Sequence, residues 1–123
     1  EHFQEYQTIW NGNNGRVFFY QSEMPYDPPS QEAWSHDGIN GYASYKVSEK
    51  VASHEAWGLG IYNVFYDAPV IVENAIETPA ALEGSIHNKI IFWLNGNKES
   101  IVKSIINGKG GSVSVSTRKA VMK

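Results

Sequence analysis

The chain has 123 residues, a net charge of −3 at pH 7, 41% hydrophobic and 13% aromatic residues, and no cysteine. This composition is typical of a globular domain, and the lack of cysteine excludes a disulfide framework and a thiolate metal site. No basic stripe indicates binding to nucleic acid or to an anionic membrane. The one basic cluster, Arg118, Lys119 and Lys123, is typical of a solvated tail. No apolar run approaches the roughly 20 residues of a membrane-spanning helix, so we expect neither a nucleic-acid nor a membrane partner.

Short runs of β-branched and aromatic residues predict strands along the whole chain, whereas windows with helical spacing are few. In chain order these runs are RVFFYQ, YASYKV, LGIYNVFY, PVIVENAI, SIHNKIIFWLNG, SIVKSII and SVSVSTR. Asn-Gly pairs stand at the edges of the runs, and both residues tolerate the positive φ of tight turns. The pairs begin at Asn11, Asn14, Asn40, Asn95 and Asn107. The sequence therefore predicts an all-β protein.

Two all-β architectures fit these runs. A β-sandwich requires strict alternation, with one polar face on each strand. A parallel β-helix is a solenoid of short stacked strands, with Asn and Gly collected at its sharp corners. The segments SIVKSIINGKGGSVSV and APVIVENAIETP resemble successive coils, because each has a short apolar strand followed by an Asn-containing corner. The periodicity alone leaves both architectures open.

A candidate acid lies in the segment FFYQSEMPYDPPSQEAW, which combines rings, prolines and carboxylates. Glu23 stands where a predicted strand ends before a proline, a common place for functional groups. Tyr20, Tyr26 and Trp34 could form an apolar wall around it. Desolvation by such a wall favours the protonated form of a carboxyl, as a general acid requires. From these residues alone, Glu23 is either a proton donor or a polar residue at a turn rim.

The remaining motifs suggest sugar binding more than metal or cofactor chemistry. Rings can stack on the apolar faces of sugars while amides bind the hydroxyl edges, although most rings are expected in the core. The four histidines are scattered and lack metal-ligand spacing. The GLG triplet at Gly58 to Gly60 lacks the rest of a dinucleotide fingerprint and is interpreted as a strand bend. We therefore expect neither a metal nor a cofactor.

Several motifs together resemble glycoside hydrolase family 55, whose members are β-1,3-glucanases built on paired right-handed β-helices. They are EH at residues 1–2, YQ at residues 6–7 and QSEMPY at residues 21–26, followed by AWGLGIYNVF at residues 56–65. The resemblance implies that residues 1–123 form a single segment of right-handed parallel β-helix. It also implies that this segment is a C-terminal fragment of a longer chain.

The same resemblance implies roles for individual residues. Glu23, which follows Glu1 by 22 positions (23 − 1) as in the family, matches the proton-donating glutamate. Glu1 matches a second acidic residue of the same cleft, and Trp34 is a candidate sugar platform without a firm family counterpart. The implied and candidate substrate-binding residues are Glu1, Tyr20, Gln21, Tyr26 and Trp34. Asp27 stands where the family often has a second tyrosine, which suggests a sister group with another glucan linkage.

The implied function is that of a secreted glycoside hydrolase that cleaves β-1,3-glucan with inversion. An inverting enzyme also needs a group that activates water about 6.5–9.5 Å from the acid, and the family's water-positioning residues lie in coils beyond this chain. The expected partners are therefore a β-glucan-like polysaccharide and the N-terminal part of the same enzyme as a separate chain. Two alternatives stay open: a carbohydrate-binding module without catalysis, and a purely structural β-solenoid segment.

Overall fold

The computed structural model describes residues 2–123, and its regular structure is almost entirely extended. The strands are β1 (Thr8–Trp10), β2 (Gly15–Glu23), β3 (Ser35–His36), β4 (Ile39–Asn40), β5 (Tyr45–Val47), β6 (His54–Phe65), β7 (Ile71–Val72), β8 (Ile76–Glu77), β9 (Ile86–Gly96), β10 (Ile101–Val102) and β11 (Lys119–Met122). A short 3₁₀ helix, Ala80–Ser85, precedes β9. The predicted all-β class is confirmed. No helix among the described residues is long and apolar enough to cross a membrane.

The strands pair in three parallel ladders. The longest joins β2, β6 and β9, so that Val17 lies opposite Ala56 and Ala56 lies opposite Ile86. A second ladder joins β1, β5 and β8, and a third joins β7 and β10. Successive strands along the chain belong to different ladders: β5, β6 and β7 each lie in a different ladder, and so do β8, β9 and β10. This parallel pairing differs from the antiparallel pairing of the sandwich alternative.

The core consists of inward-facing side chains from all three ladders. In β6 the alternation places Ala56, Leu59 and Ile61 inside and Trp57 and Tyr62 on the outer face. Each fully buried aliphatic side chain contributes about 1.5–3 kcal/mol relative to an exposed one. The largest fully buried aliphatic residues are Leu59, Ile61, Ile76, Ile86, Ile91, Ile105 and Ile106.

A shared irregularity crosses the longest ladder. Phe19, Gly58 and Asn88 stand side by side on β2, β6 and β9, and their φ angles are 99°, 74° and 56°. The bend predicted for the GLG triplet is therefore present at Gly58. It interrupts the alternation of the strands, and both Phe18 and Phe19 are more than two-thirds exposed as a result. A row of left-handed residues thus divides the outer face into two halves.

The basic residues Arg118, Lys119 and Lys123 are exposed, as a solvated segment requires, but they do not form a free tail. Lys119 begins β11, which pairs antiparallel with β9, and the Arg118 guanidinium donates to the backbone oxygens of Trp93 and Leu94. The SVSVSTR run was predicted as a strand, but its regular pairing is limited to the bridge between Val113 and Val102. The strand forms at β11 because it pairs with β9 and covers the sheet edge that β9 would otherwise leave open.

Candidate functional site

Glu23 ends β2, opposite Tyr62 of β6, with a side chain that is 20% exposed. Its backbone oxygen accepts hydrogen bonds from the His2 N–H at 3.0 Å and from Gln7 Nε2 at 2.6 Å. The Ser22 hydroxyl donates to Gln7 Oε1 and so holds the amide in place. Residues of the EH and YQ motifs therefore position the backbone of the predicted acid, which gives these spaced motifs a structural reason.

The His2 ring lies beside the Glu23 carboxyl, and the Tyr26 ring packs on His2. The imidazole Nε2 of His2 is 3.8 Å from Glu23 Oε2, and His2 Nδ1 is 3.2 Å from the backbone oxygen of Met24. The Tyr26 ring packs on the His2 ring with centroids 4.0 Å apart, and Tyr66 packs edge-on against Tyr26. The structure thus brings Tyr26 and Glu23 together through His2.

A trough of about 220 Å³ crosses the outer face of the longest ladder. Its floor includes Gly58 and Gly60, where the central strand has no side chains, and its sides include Gln21 and Asn88. The Tyr62 side chain lies over Gly60: its hydroxyl oxygen is only 3.0 Å from the place that a Cβ at Gly60 would occupy. The trough therefore combines a flat floor, a ring and two amides, as a sugar site requires.

Aromatic rows stand at both ends of this trough. At the Glu23 end, Tyr62 stacks beside Phe92 with ring centroids 6.1 Å apart. At the far end, Phe18, Trp57 and His87 form a continuous stack across the three strands, with centroid separations of 4.8 Å and 5.5 Å. The rows arise because register partners on parallel strands lie directly beside one another.

Two predicted substrate-binding residues point elsewhere. Trp34 is 2% exposed, packs edge-on against Phe65 in the core, and borders a second hollow of about 280 Å³ away from Glu23. Tyr20 borders the trough, but its ring packs on Tyr45 and its hydroxyl donates to the backbone oxygen of Ser44. Both rings thus pack against the core, and their roles in substrate binding stay predictions. Gln21 lines the trough as expected from its place beside Glu23, whereas Glu1 lies outside the described residues.

Sequence reasoning counted Trp57 among the candidate sugar-stacking rings but missed four residues that the structure adds to this face: His2, Tyr62, Asn88 and Phe92. Trp57 and Tyr62 lie on either side of the GLG triplet. The alternation of inward and outward residues on each side of the bend could have indicated that both rings face outward. His2 belongs to a quoted motif, but nothing in the sequence alone shows that its ring faces Glu23.

A second polar cluster lies on the outer side of the ladder of β1, β5 and β8. The Tyr6 hydroxyl lies 2.7 Å from His36 Nε2 and 3.4 Å from Glu77 Oε2, and Lys46 Nζ binds Glu77 at 3.0 Å. Burial, then the negative charge of Glu77, raise the pKa of Tyr6 well above its usual value. The cluster ties β3 to the ladder. Among residues 2–123, no group of three or more His, Asp or Glu side chains is placed to hold a metal ion.

The chain is 36% identical over 118 residues to an exo-β-1,3-glucanase of Streptomyces sp. strain SirexAA-E / ActE, a match covering 95% of this chain and 19% of that protein. The solved structure of sacteLam55A from Streptomyces sp. SirexAA-E matches with a TM-score of 0.85 and 31% identity, covering 98% of this chain and 22% of the other. A glutamate-to-alanine variant of sacteLam55A in complex with glucose matches with a TM-score of 0.84 and 29% identity. No family model matches the chain.

These matches confirm the resemblance expected from the motifs. The chain is similar to part of a glycoside hydrolase family 55 β-1,3-glucanase. It spans 19% of the length of the curated relative, so its similarity is to a segment of a larger glucan-degrading enzyme.

Proposed function

We propose that this chain supplies the general acid and part of the glucan-binding surface of a β-1,3-glucan hydrolase. The observation that carries the proposal is the position of Glu23 opposite Tyr62, a ring that lines the trough, with the Glu23 backbone held by His2 and Gln7. The similarity to an exo-β-1,3-glucanase supports the substrate class. A polymeric substrate is met outside the cell, so the protein is proposed to be secreted.

The proposal extends to the architecture. The three parallel ladders are read as the faces of a right-handed β-helix, and residues 1–123 as one segment of it, from the C-terminal part of a longer chain. The coverage of 19% and 22% of the matched proteins supports this reading. The remainder of the enzyme, whether on the same chain or a separate one, supplies the water-positioning residues.

In the proposed reaction a glucosyl unit lies in the trough against Tyr62, with hydroxyls bonded to Gln21 and Asn88. Glu23, in its protonated form, donates its proton to the leaving glycosidic oxygen as the bond to the anomeric carbon breaks. A water on the opposite face attacks that carbon while giving its proton to a base in the remainder of the enzyme, and configuration is inverted. Tyr26 borders the acid through its contact with His2.

The test is Glu23→Gln in the full-length protein, assayed on laminarin. The amide keeps the shape of the side chain but cannot donate a proton as an acid, so we expect kcat to fall by roughly 10²–10⁴ with little change in KM. Glu55→Gln is the matched control, since Glu55 is an outer-face carboxylate that pairs with His87 at the far end of the trough. Near-normal turnover by Glu23→Gln would show that Glu23 is not the general acid. Proton NMR of the first product anomer tests inversion.

A carbohydrate-binding module without catalysis is the second candidate, favoured by the aromatic rows at both ends of the trough. In that case Glu23 only accepts hydrogen bonds from sugar hydroxyls. Calorimetry with laminari-oligosaccharides would then show binding that Trp57→Ala weakens, without turnover of any substrate by the full-length protein. If the protein neither binds nor hydrolyses these sugars, a purely structural β-solenoid segment is the remaining interpretation.

A further inference from the structure

We propose that His2 is a positioning residue that shares one proton with Glu23 and restores the acid after each turnover. This inference rests on the proposed function of Glu23. It starts from the only ion-pair geometry found for Glu23 among the described residues, the 3.8 Å separation between His2 Nε2 and Glu23 Oε2.

The hydrogen bonding of His2 determines which nitrogen faces the acid. Nδ1 lies 3.2 Å from the backbone oxygen of Met24, and a carbonyl oxygen can only accept. Nδ1 therefore carries a hydrogen in both the neutral and the protonated ring. Nε2 is the nitrogen that gains and loses a proton, and it is the one directed at Glu23.

His2 is also held in a costly conformation. Its φ of 59° is in the left-handed region, which is unfavourable for a residue other than glycine. The N–H bond to the Glu23 backbone oxygen and the Tyr26 ring at 4.0 Å hold it there. Because strained residues persist where their surroundings determine them, this strain indicates that the direction of the imidazole is specified.

The proton balance of the cycle is simple. In the form that carries its proton on Nε2, the pair is an imidazolium and a carboxylate, and a glucan that covers the site removes water from both. A desolvated ion pair is costly, so the proton moves from Nε2 to Oε2 and leaves a neutral imidazole and a carboxylic acid. Glu23 then gives this proton to the glycosidic oxygen and becomes a carboxylate again. His2, whose side chain is 35% exposed, takes the next proton from solvent.

The transfer requires that the two atoms approach to about 2.6–3.2 Å or that one water bridges them. Among the described residues, the other titratable groups near the pair are the phenols Tyr26, Tyr62 and Tyr66 and the carboxylate Asp27, whose Oδ1 accepts from Gln4 Nε2 at 2.9 Å. Variants of His2 and of Glu23 themselves are therefore needed to assign the pH profile to this pair.

The first test is the pH dependence of kcat/KM in the full-length protein. His2→Asn is the chosen variant, because its amide can still donate to the Met24 oxygen but cannot titrate. We expect the alkaline limb to move by at least about one pH unit toward acid, and turnover at pH 7 to fall about tenfold, a scale set by typical charge coupling. His36→Asn is the matched control, since His36 is also bonded through Nε2 to a side chain, the Tyr6 hydroxyl at 2.7 Å, but lies in the second polar cluster away from the trough, and it should leave the profile unchanged.

The outcomes separate the two proposals. If Glu23→Gln is inactive while His2→Asn keeps the wild-type alkaline limb, the His2 inference is wrong and the proposed function stands. If Glu23→Gln is active, the proposed function itself fails. A second measurement needs no variant at residue 2: NMR of the His2 imidazole should show its titration midpoint moving by about one pH unit between wild type and Glu23→Gln. Identical midpoints would overturn the coupling.

Discussion

The ring of Phe18 lies flat against the ring of Trp57, with centroids 4.8 Å apart and planes 3° from parallel. The two residues are register partners on neighbouring parallel strands, and His87 is the next partner along the same level. Residues 39 positions apart (57 − 18) thus form one surface. Because the strands are parallel, residues at the same level of β2, β6 and β9 lie side by side, and here they form a row of rings at one end of the trough.

Trp57→Ala should weaken binding of long glucans more than short ones, because the ring row lies at the end of the trough away from Glu23. Loss of an aromatic contact of about 0.5–1.5 kcal/mol corresponds to a roughly two- to tenfold rise in Kd for laminarihexaose. Laminaribiose, which does not reach the row from Glu23, should bind as before. Calorimetry measures both. Val121→Ala, also an exposed apolar residue but on β11, is the control, and an equal loss for both sugars would contradict the prediction.

Gly96→Ala should destabilise the fold by about 2 kcal/mol or more, because two penalties add at this position. Gly96 has a φ of 112°, and a Cβ there would lie 2.4 Å from the backbone oxygen of Phe65. Gly12→Ala is the comparison, since Gly12 lacks a positive φ and a Cβ would meet nothing within 4 Å. Urea midpoints of the two variants check the difference, and similar midpoints would refute the prediction.

His54 should make the protein less stable in mild acid. Burial lowers its pKa, so the unfolded chain binds a proton first as the pH falls. Its contribution is fully present above the unfolded value near 6.5 and is lost below it, at no more than about 1.4 kcal/mol per pH unit. Among residues 2–123 the buried Nδ1 of His54 has no hydrogen-bond partner, while Nε2 lies 2.5 Å from the Tyr45 hydroxyl. Urea unfolding at several pH values should show a flatter acid slope for His54→Gln, and equal slopes would exclude His54 as the cause.

Tyr6 and Tyr45 should stay protonated in alkali until the protein unfolds. Burial is the main cause that raises the pKa of each phenol, with the charge of Glu77 adding to the effect at Tyr6. A raised pKa in the folded state means that stability is present below the unfolded value near 10 and is lost as the pH rises above it. Absorbance of tyrosinate should therefore show a late step that coincides with unfolding, and that shrinks in Tyr6→Phe. A titration complete before unfolding would contradict this.

Turn chemistry was readable from the sequence because it is local. Four of the five Asn-Gly pairs contain a residue with positive φ, at Asn14, Gly41, Gly96, and Asn107 with Gly108. The bend at the GLG triplet was equally readable, since Gly58 adopts a φ of 74°. Such conformations depend on one or two residues, whose freedom is set by the presence or absence of a Cβ.

Whether an individual ring lies in the core or on the outer face could not be predicted from the sequence. Trp34 and Trp57 look alike in the sequence, yet Trp34 is 2% exposed and Trp57 stands in the outer row. Tyr20 and Tyr26 flank Glu23 at equal distance along the chain, but Tyr20 faces the core and Tyr26 contacts His2. Which side a ring occupies depends on strand register and on the bend at Phe19, and both are set by pairing with distant strands.

The sequence by itself determined the strand-rich composition, the turn positions and the motif spacing that resembles a glucanase, because these depend on local propensity and on residue identity. The tertiary structure alone decided that the EH and YQ motifs hold the backbone of Glu23, that Gly58 and Gly60 open a trough beside it, and that His2 faces its carboxyl. Such contacts join residues 16–22 positions apart or on different strands. Their formation requires the stacking of parallel strands, a cooperative outcome of core burial that no single segment specifies.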